Sequence, residues 1–186
     1  LTLSQSYEQT STGALVLGLG GDTPAMYSGL TITGNTSLAG SLTVTLDPGF
    51  QPAWNDSFTL IQSDTLTGEF STVNFPTLAD SSLRWWFDTT STSALAGVRH
   101  FADFNHDGGV NTIDLTMMLS QFGTSGPGLL ADIDRNGAVT TADLTQFLGA
   151  FGLTAGALTS VPAPGVAGLI LTASLCGVSR RRRRVD

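Results

Sequence analysis

Apolar and polar positions alternate in short runs along residues 1–98. Ala14–Leu19, Leu30–Thr33, Ser41–Leu46, Ser57–Ile61, Phe70–Val73, Leu83–Phe87 and Ala94–Val98 each have the period of a strand. Ser41–Leu46 alternates strictly, with Leu42, Val44 and Leu46 on one face. Turn residues separate the runs: Gly20-Gly21-Asp22, Gly34-Asn35, Asp47-Pro48-Gly49, Asn55-Asp56 and Gly68. A strand every 8–14 residues or so fits either a small sandwich or the stacked rungs at the end of a β-solenoid. Past residue 100 the period changes. Leu115, Met118, Leu119 and Phe122 recur at i, i+3, i+4 and i+7, and so do Leu144, Phe147, Leu148 and Phe151. Each set predicts one face of a short helix, with Gly123 and Gly152 placed for its C-terminal cap. A last apolar run, Val166–Val178, predicts a C-terminal helix. The expected fold is a mainly β segment over 1–98, a small α module over 101–153, a linker over 154–160 and an apolar tail over 161–186.

Composition adds a compartment. Among 186 residues there are 22 Gly, 12% charged residues and no Lys, with Ser and Thr abundant. Such a chain suits a secreted bacterial surface protein more than a cytosolic enzyme. The net charge of −7 is uneven, because five of the eight basic residues are the run Arg180–Arg184. An acidic body of this kind repels nucleic acid, which is excluded as a partner. Cys176 is the single cysteine, so no intrachain disulfide is expected. Leu1–Thr10 holds no export signal; the expectation is a processed or partial chain with any signal upstream.

The chemistry is concentrated in two twelve-residue stretches, Asp103–Asp114 and Asp132–Asp143. Each puts oxygen side chains at positions 1, 3, 5 and 12, Gly at position 6 and Val at position 8, the spacing of a calcium loop. The predicted ligands of the first are Asp103, Asn105, Asp107, the Gly109 carbonyl, Asn111 (through water) and Asp114. Those of the second are Asp132, Asp134, Asn136, the Ala138 carbonyl, Thr140 and Asp143. Gly108 and Gly137 are expected at the sharp turn, where φ is positive. Val110 and Val139 are expected to pair with each other between the loops. The first loop, with Asn111 where the second has Thr140, is the expected tighter site. Two Ca2+ ions are predicted, with folding of the module coupled to them.

No helix precedes either loop. Loop then helix, twice, with Asp-x-Asn-x-Asp-Gly-x-Val-Asn-x-x-Asp in the first copy, resembles the type I dockerin family over about 101–153. The resemblance implies docking to a cohesin-type partner through residues just inside each helix: Thr112 and Ile113, Thr141 and Ala142, with Ser120 and Gly149 further along. Residues 15–98, with Gly49-Phe50, Asp56–Ile61, Gly68-Glu69-Phe70 and Trp85-Trp86, resemble the segment that ends the β-helical part of autotransporter-like surface proteins. The tail runs from Val161 to Ser179, about 19 mostly apolar residues and so near the lower length for spanning a bilayer. With Pro162, Pro164 and Arg180, Arg181, Arg182, Arg183 and Arg184 it resembles a PEP-CTERM sorting signal. That implies an exosortase-like processing enzyme and a membrane anchor before processing.

A catalytic constellation is not expected. No His precedes His100, and Asp22, Asp47, Asp56 and Asp64 lie in turn contexts. Of Trp85-Trp86, one ring is expected to face the core. The functional expectation is an exported cell-surface protein with a calcium-dependent docking module. The alternative is an accessory or C-terminal part of an extracellular polysaccharide-degrading protein.

Overall fold

The computed structural model describes residues 1–156. The apolar C-terminal helix, the sorting motif and the arginine run expected over 161–186 lie outside the described residues. Among the described residues, no helix is long and apolar enough to cross a membrane.

The chain makes three successive turns, each of three short strands. The first holds β1 (Thr2–Leu3), β2 (Tyr7–Glu8) and β3 (Ala14–Leu19). The second holds β4 (Leu30–Ile32), β5 (Asn35–Leu38) and β6 (Ser41–Leu46). The third holds β7 (Ser57–Gln62), β8 (Thr65–Gly68) and β9 (Thr72–Asn74). Strands of equal rank stack in parallel, as β1-β4-β7, β2-β5-β8 and β3-β6-β9. Parallel registers in three directions are those of stacked turns, not of two antiparallel sheets facing each other. A hairpin, β10 (Leu83–Thr89) and β11 (Ser93–His100), then adds antiparallel strands to the edge of the first sheet, beside β7.

Alternation places one face of each strand inward. Leu17, Leu19, Leu30, Ile32, Leu38, Leu42, Val44, Phe58, Leu60 and Leu66 make the core of the turns. Four strands carried no clear signal in the sequence: β1, β2, β5 and β8. They have two to four residues and at most two inward side chains each, and β5 and β8 include Asn35 and Gly68, which read as turn residues. Gly68 does turn the chain, with φ of 72°, as does Gly40 with φ of 64°. At both, a Cβ would run into backbone oxygen, of Leu38 and of Gly13 respectively. Stacked turns bring neighbouring backbone too close there for a side chain.

The hairpin pairs large with small residues. Trp86 lies opposite Gly97, and a Cβ on Gly97 would enter the indole. Trp85 faces inward, as one of the two rings was expected to, stacked on Phe75 at 4.8 Å and donating its indole N–H to the Pro76 carbonyl at 2.8 Å.

Two ten-residue helices follow, α1 (Thr112–Gln121) and α2 (Thr141–Ala150). They pack with the loops before them into a second core of Phe104, Val110, Met118, Ile133, Val139, Phe147 and Ala150. Trp54, Leu83 and Val98, from the β-rich part, belong to the same cluster.

Candidate calcium-binding site

Each loop is closed by its own helix. Asp114 is the third residue of α1. One of its carboxylate oxygens accepts from the N–H of Phe104 (2.7 Å) and Asn105 (3.2 Å), and the other from the N–H of Asn111 (2.9 Å). Asp143 repeats this with Ile133 (2.8 Å), Asp134 (3.1 Å) and Thr140 (2.8 Å). Asn111 and Thr140 in turn cap their helices, accepting from the N–H of Ile113 and Ala142. One carboxylate therefore ties loop start to helix start, which accounts for the burial of Asp114 and Asp143. Burial raises the pKa of Asp143, but the hydrogen bonds from Thr140, Asp134 and Ile133 together outweigh it and hold the carboxyl below its ordinary value.

The acidic side chains converge. Carboxylate oxygens of Asp103, Asp107 and Asp114 lie within 4.8 Å of one another, as do those of Asp132, Asp134 and Asp143. The first set uses positions 1, 5 and 12 and the second 1, 3 and 12, because Asn105 and Asn136 take the remaining place. Asn105 donates to Asp107 (2.8 Å) and Asn136 to Asp134 (3.0 Å). The first of these bonds leads the effects that hold Asp107 below the usual carboxylate range. Asn111 also donates to Asp107 (3.3 Å), so its amide nitrogen points toward the acidic cluster while its oxygen caps α1. Thr140 donates its hydroxyl to Asp143 (3.1 Å). Gly109 and Ala138 are held at isolated backbone bridges, to Thr154 and Ser125.

One oxygen tests whether a cation fits. Asp103 is buried, and its Oδ1 has no hydrogen-bond partner, while its Oδ2 accepts from Trp54. Burial pushes this carboxyl above its ordinary pKa, against the pull of the Trp54 hydrogen bond. A buried carboxylate oxygen without a partner is costly, and a hard divalent cation is the ligand that would suit it together with the carboxylates of Asp107 and Asp114 beside it.

The loops differ from expectation in two respects. Val110 and Val139 do not pair with each other. Val110 bonds to the segment after α2, its N–H to the Leu153 carbonyl (2.9 Å) and its carbonyl to the Gly152 N–H (2.8 Å). Val139 does the same with the segment after α1, through Gly123 (2.9 Å) and Thr124 (2.9 Å). The cause is the turn that Gly123 and Gly152 make at φ of 80° and 89°. It sends each chain back along the other half's loop. The predicted apolar helix faces are also divided. Met118 and Phe147 are fully buried, whereas Leu119, Phe122, Leu148 and Phe151 are each more than 40% exposed. A ten-residue helix with one packed side buries a narrower stripe than the 3.6 period suggests.

The residues assigned to partner contact lie at the surface. Thr112, Ile113, Thr141 and Ala142 form the exposed first turns of the helices, and Ser120 and Gly149 are exposed further along. Two features escaped the sequence reading. His106 and Arg135, both at position 4, are left-handed with φ of 61° and 60°. Trp54, 49 residues before Asp103, reaches the first loop.

A duplicated loop–helix unit with a triad of carboxylates in each copy is the layout of a candidate cation-binding module. Residues 101–147 match the family model described as Dockerin type I domain, a stretch covering both loops, all of α1 and most of α2. No curated protein and no solved structure matches the chain.

Proposed function

We propose that residues 101–156 bind two calcium ions, one per loop, and present the outer faces of the helices to a cohesin-type partner. The observation that carries the reading is the duplication. Each of two equivalent loops brings three carboxylates together, sharing positions 1 and 12, within a stretch that matches the dockerin family. The ligands are Asp103, Asn105, Asp107, the Gly109 carbonyl, Asn111 and Asp114, and Asp132, Asp134, Asn136, the Ala138 carbonyl, Thr140 and Asp143. The partner surface is the first turns, Thr112-Ile113 and Thr141-Ala142, widened by the exposed Leu119, Phe122, Leu148 and Phe151. Residues 161–186 sort the protein to the cell surface, a role resting on Pro162, Pro164 and Arg180–Arg184.

A second reading is a stabilising calcium clip without a partner, favoured by the core that the module shares with the β-rich part. One experiment separates them. The chain is titrated with calcium by calorimetry, then passed over immobilised type I cohesin modules with calcium or with chelator. Two binding events and calcium-dependent retention are expected. Two events with no retention on any cohesin leave the clip; no calcium event overturns both.

A further inference from the structure

The two loops are alike in sequence but not in surroundings. The first is built against the β-rich part. The Trp54 indole N–H donates to Asp103 Oδ2 at 2.8 Å, in a buried bond. Asn55, left-handed with φ of 75°, sits where any side chain on Gly108 would meet it, at 3.2–3.3 Å. Trp86 stacks on His106, with ring centres 5.0 Å apart and planes 12° apart. The segment carrying Trp54 is itself fixed to β11, through Asn55 N–H to Val98 carbonyl (2.8 Å) and Val98 N–H to Asp56 carbonyl (2.9 Å).

The second loop shares the buried cluster through Ile133 and Val139, but among the described residues its acidic side chains have no hydrogen bond to the β-rich part. Nothing lies within 4 Å of a Cβ placed on Gly137. Asp134, Arg135 and Asn136 are exposed. A cleft of about 480 Å³ separates this loop from the hairpin, with Arg84, Trp85 and Arg99 on one wall and Asp132 and Arg135 on the other. Both oxygens of Asp132 accept from the loop's own backbone, Oδ1 from Asn136 (3.1 Å) and Oδ2 from Gly137 (2.8 Å). Asp103 shares only the second of these bonds, from Gly108 to Oδ2 (3.2 Å). With the indole also on Oδ2, Oδ1 is left buried and without a partner.

We propose that Trp54 is a positioning residue for the first cation site. Its indole N–H fixes the Asp103 carboxylate with Oδ1 turned to the cation, so that binding at Asp103–Asp114, but not at Asp132–Asp143, is coupled to the β-rich part. The inference rests on the calcium reading above. It concerns a residue outside the stretch that matches the family, and it gives the two sites different affinities for a reason that loop composition does not contain. A preset carboxylate costs less to order when the ion arrives, and a hydrogen bond to a charged group is worth about a tenfold change in binding constant or more.

The test uses the full chain. Calorimetric titration with calcium is run on the unsubstituted protein, on Trp54→Phe and on Asp132→Ala, which identifies the second-loop event. Phe keeps an aromatic ring against His100 but has no N–H. The expected result is a first-loop event weakened about tenfold or more in Trp54→Phe, with the second-loop event unchanged. The unchanged event also shows that the variant is folded. On the unsubstituted chain, nitrogen-15 NMR of the indole N–H groups should show the Trp54 signal moving as the first loop fills and staying still as the second does. Equal loss of both events in Trp54→Phe, no loss of either, or a Trp54 signal indifferent to the first loop overturns the proposal while leaving the calcium reading intact. Absence of any calcium event in the unsubstituted chain overturns both.

Discussion

His100 and His106 flank the start of the first loop, and where they sit favours the neutral form of both. Burial, first among the causes, lowers the pKa of each below its ordinary value. His100 is buried against Trp54 and Phe101, with ring centres 5.2 and 4.2 Å away, and its Nδ1 accepts from the Ala102 N–H at 3.2 Å. Protonation there removes an acceptor and buries a charge. The unfolded chain takes up these protons near pH 6.5, where the folded chain does not. Stability is therefore full above that pH and declines as pH falls through it toward the lowered folded values. In calcium-free buffer the melting temperature should be lower at about pH 5.5 than at about pH 7.5, and His100→Asn should shrink the difference. An undiminished difference in that variant would remove His100 as its source. Much at this scale was legible in advance. The two clusters of carboxylates and the positive φ of Gly108 and Gly137 follow from the spacing of oxygen-bearing residues. The left-handed His106 and Arg135 did not show, because positive φ is uncommon for any residue but glycine, and the enrichment of His there is too weak to single out one position. Trp54 could not show, since its partner is brought to it only by the stacking of β7 against β11.

The helices of the module are short and packed on one side. Phe147 is fully buried and stacks on Phe104 of the first loop at 5.8 Å, whereas its neighbour Leu148 is 55% exposed. Phe147→Ala should cost about 3–5 kcal/mol of stability, the range for emptying a buried aromatic site. Leu148→Ala should stay within about 0.5 kcal/mol of the parent, as surface changes do. Denaturant unfolding in calcium measures both, and similar losses would mean that the apolar face is not divided. The periodicity located both helices and their terminal glycines correctly, yet it grouped Leu148 with Phe147. Period tells which residues share a side of a helix, not how wide a neighbour covers it. In the β-rich part the longer runs from Ala14, Ser41, Ser57 and Leu83 were legible for the same reason that β5 and β8 were not. An alternating run identifies itself only when it is long enough to repeat.

At the scale of the whole molecule, composition changes near residue 100 while packing does not. Trp54, Leu83 and Val98 share a cluster with Val110, Val139 and Phe147. Arg99, the penultimate residue of β11, is buried, and one guanidinium nitrogen donates to the carbonyls of His100, Phe101 and Asp103 at 3.1–3.2 Å. Burial lowers its pKa to about 10, still well above neutral pH, so it clamps the start of the first loop as a cation. The sequence shows a strand ending and a loop beginning there. It cannot show that one arginine holds both, because the three carbonyls it binds belong to backbone that any residue could supply.

The crossed pairing after the helices has a mechanical consequence. The segment leaving α2 returns to the first loop, with the Ala155 N–H on the Gly108 carbonyl at 2.7 Å beside the two bonds to Val110. Tension applied at residue 156 is thus delivered to the first loop, although the second is nearer along the chain. The first loop is also the one seated on the β-rich part, so the load path bypasses the second loop and ends in the stacked turns. In single-molecule pulling between residue 156 and the N-terminus in calcium, Asp103→Ala should lower the force of first rupture more than Asp132→Ala. Equal losses would mean that the load is shared by both loops.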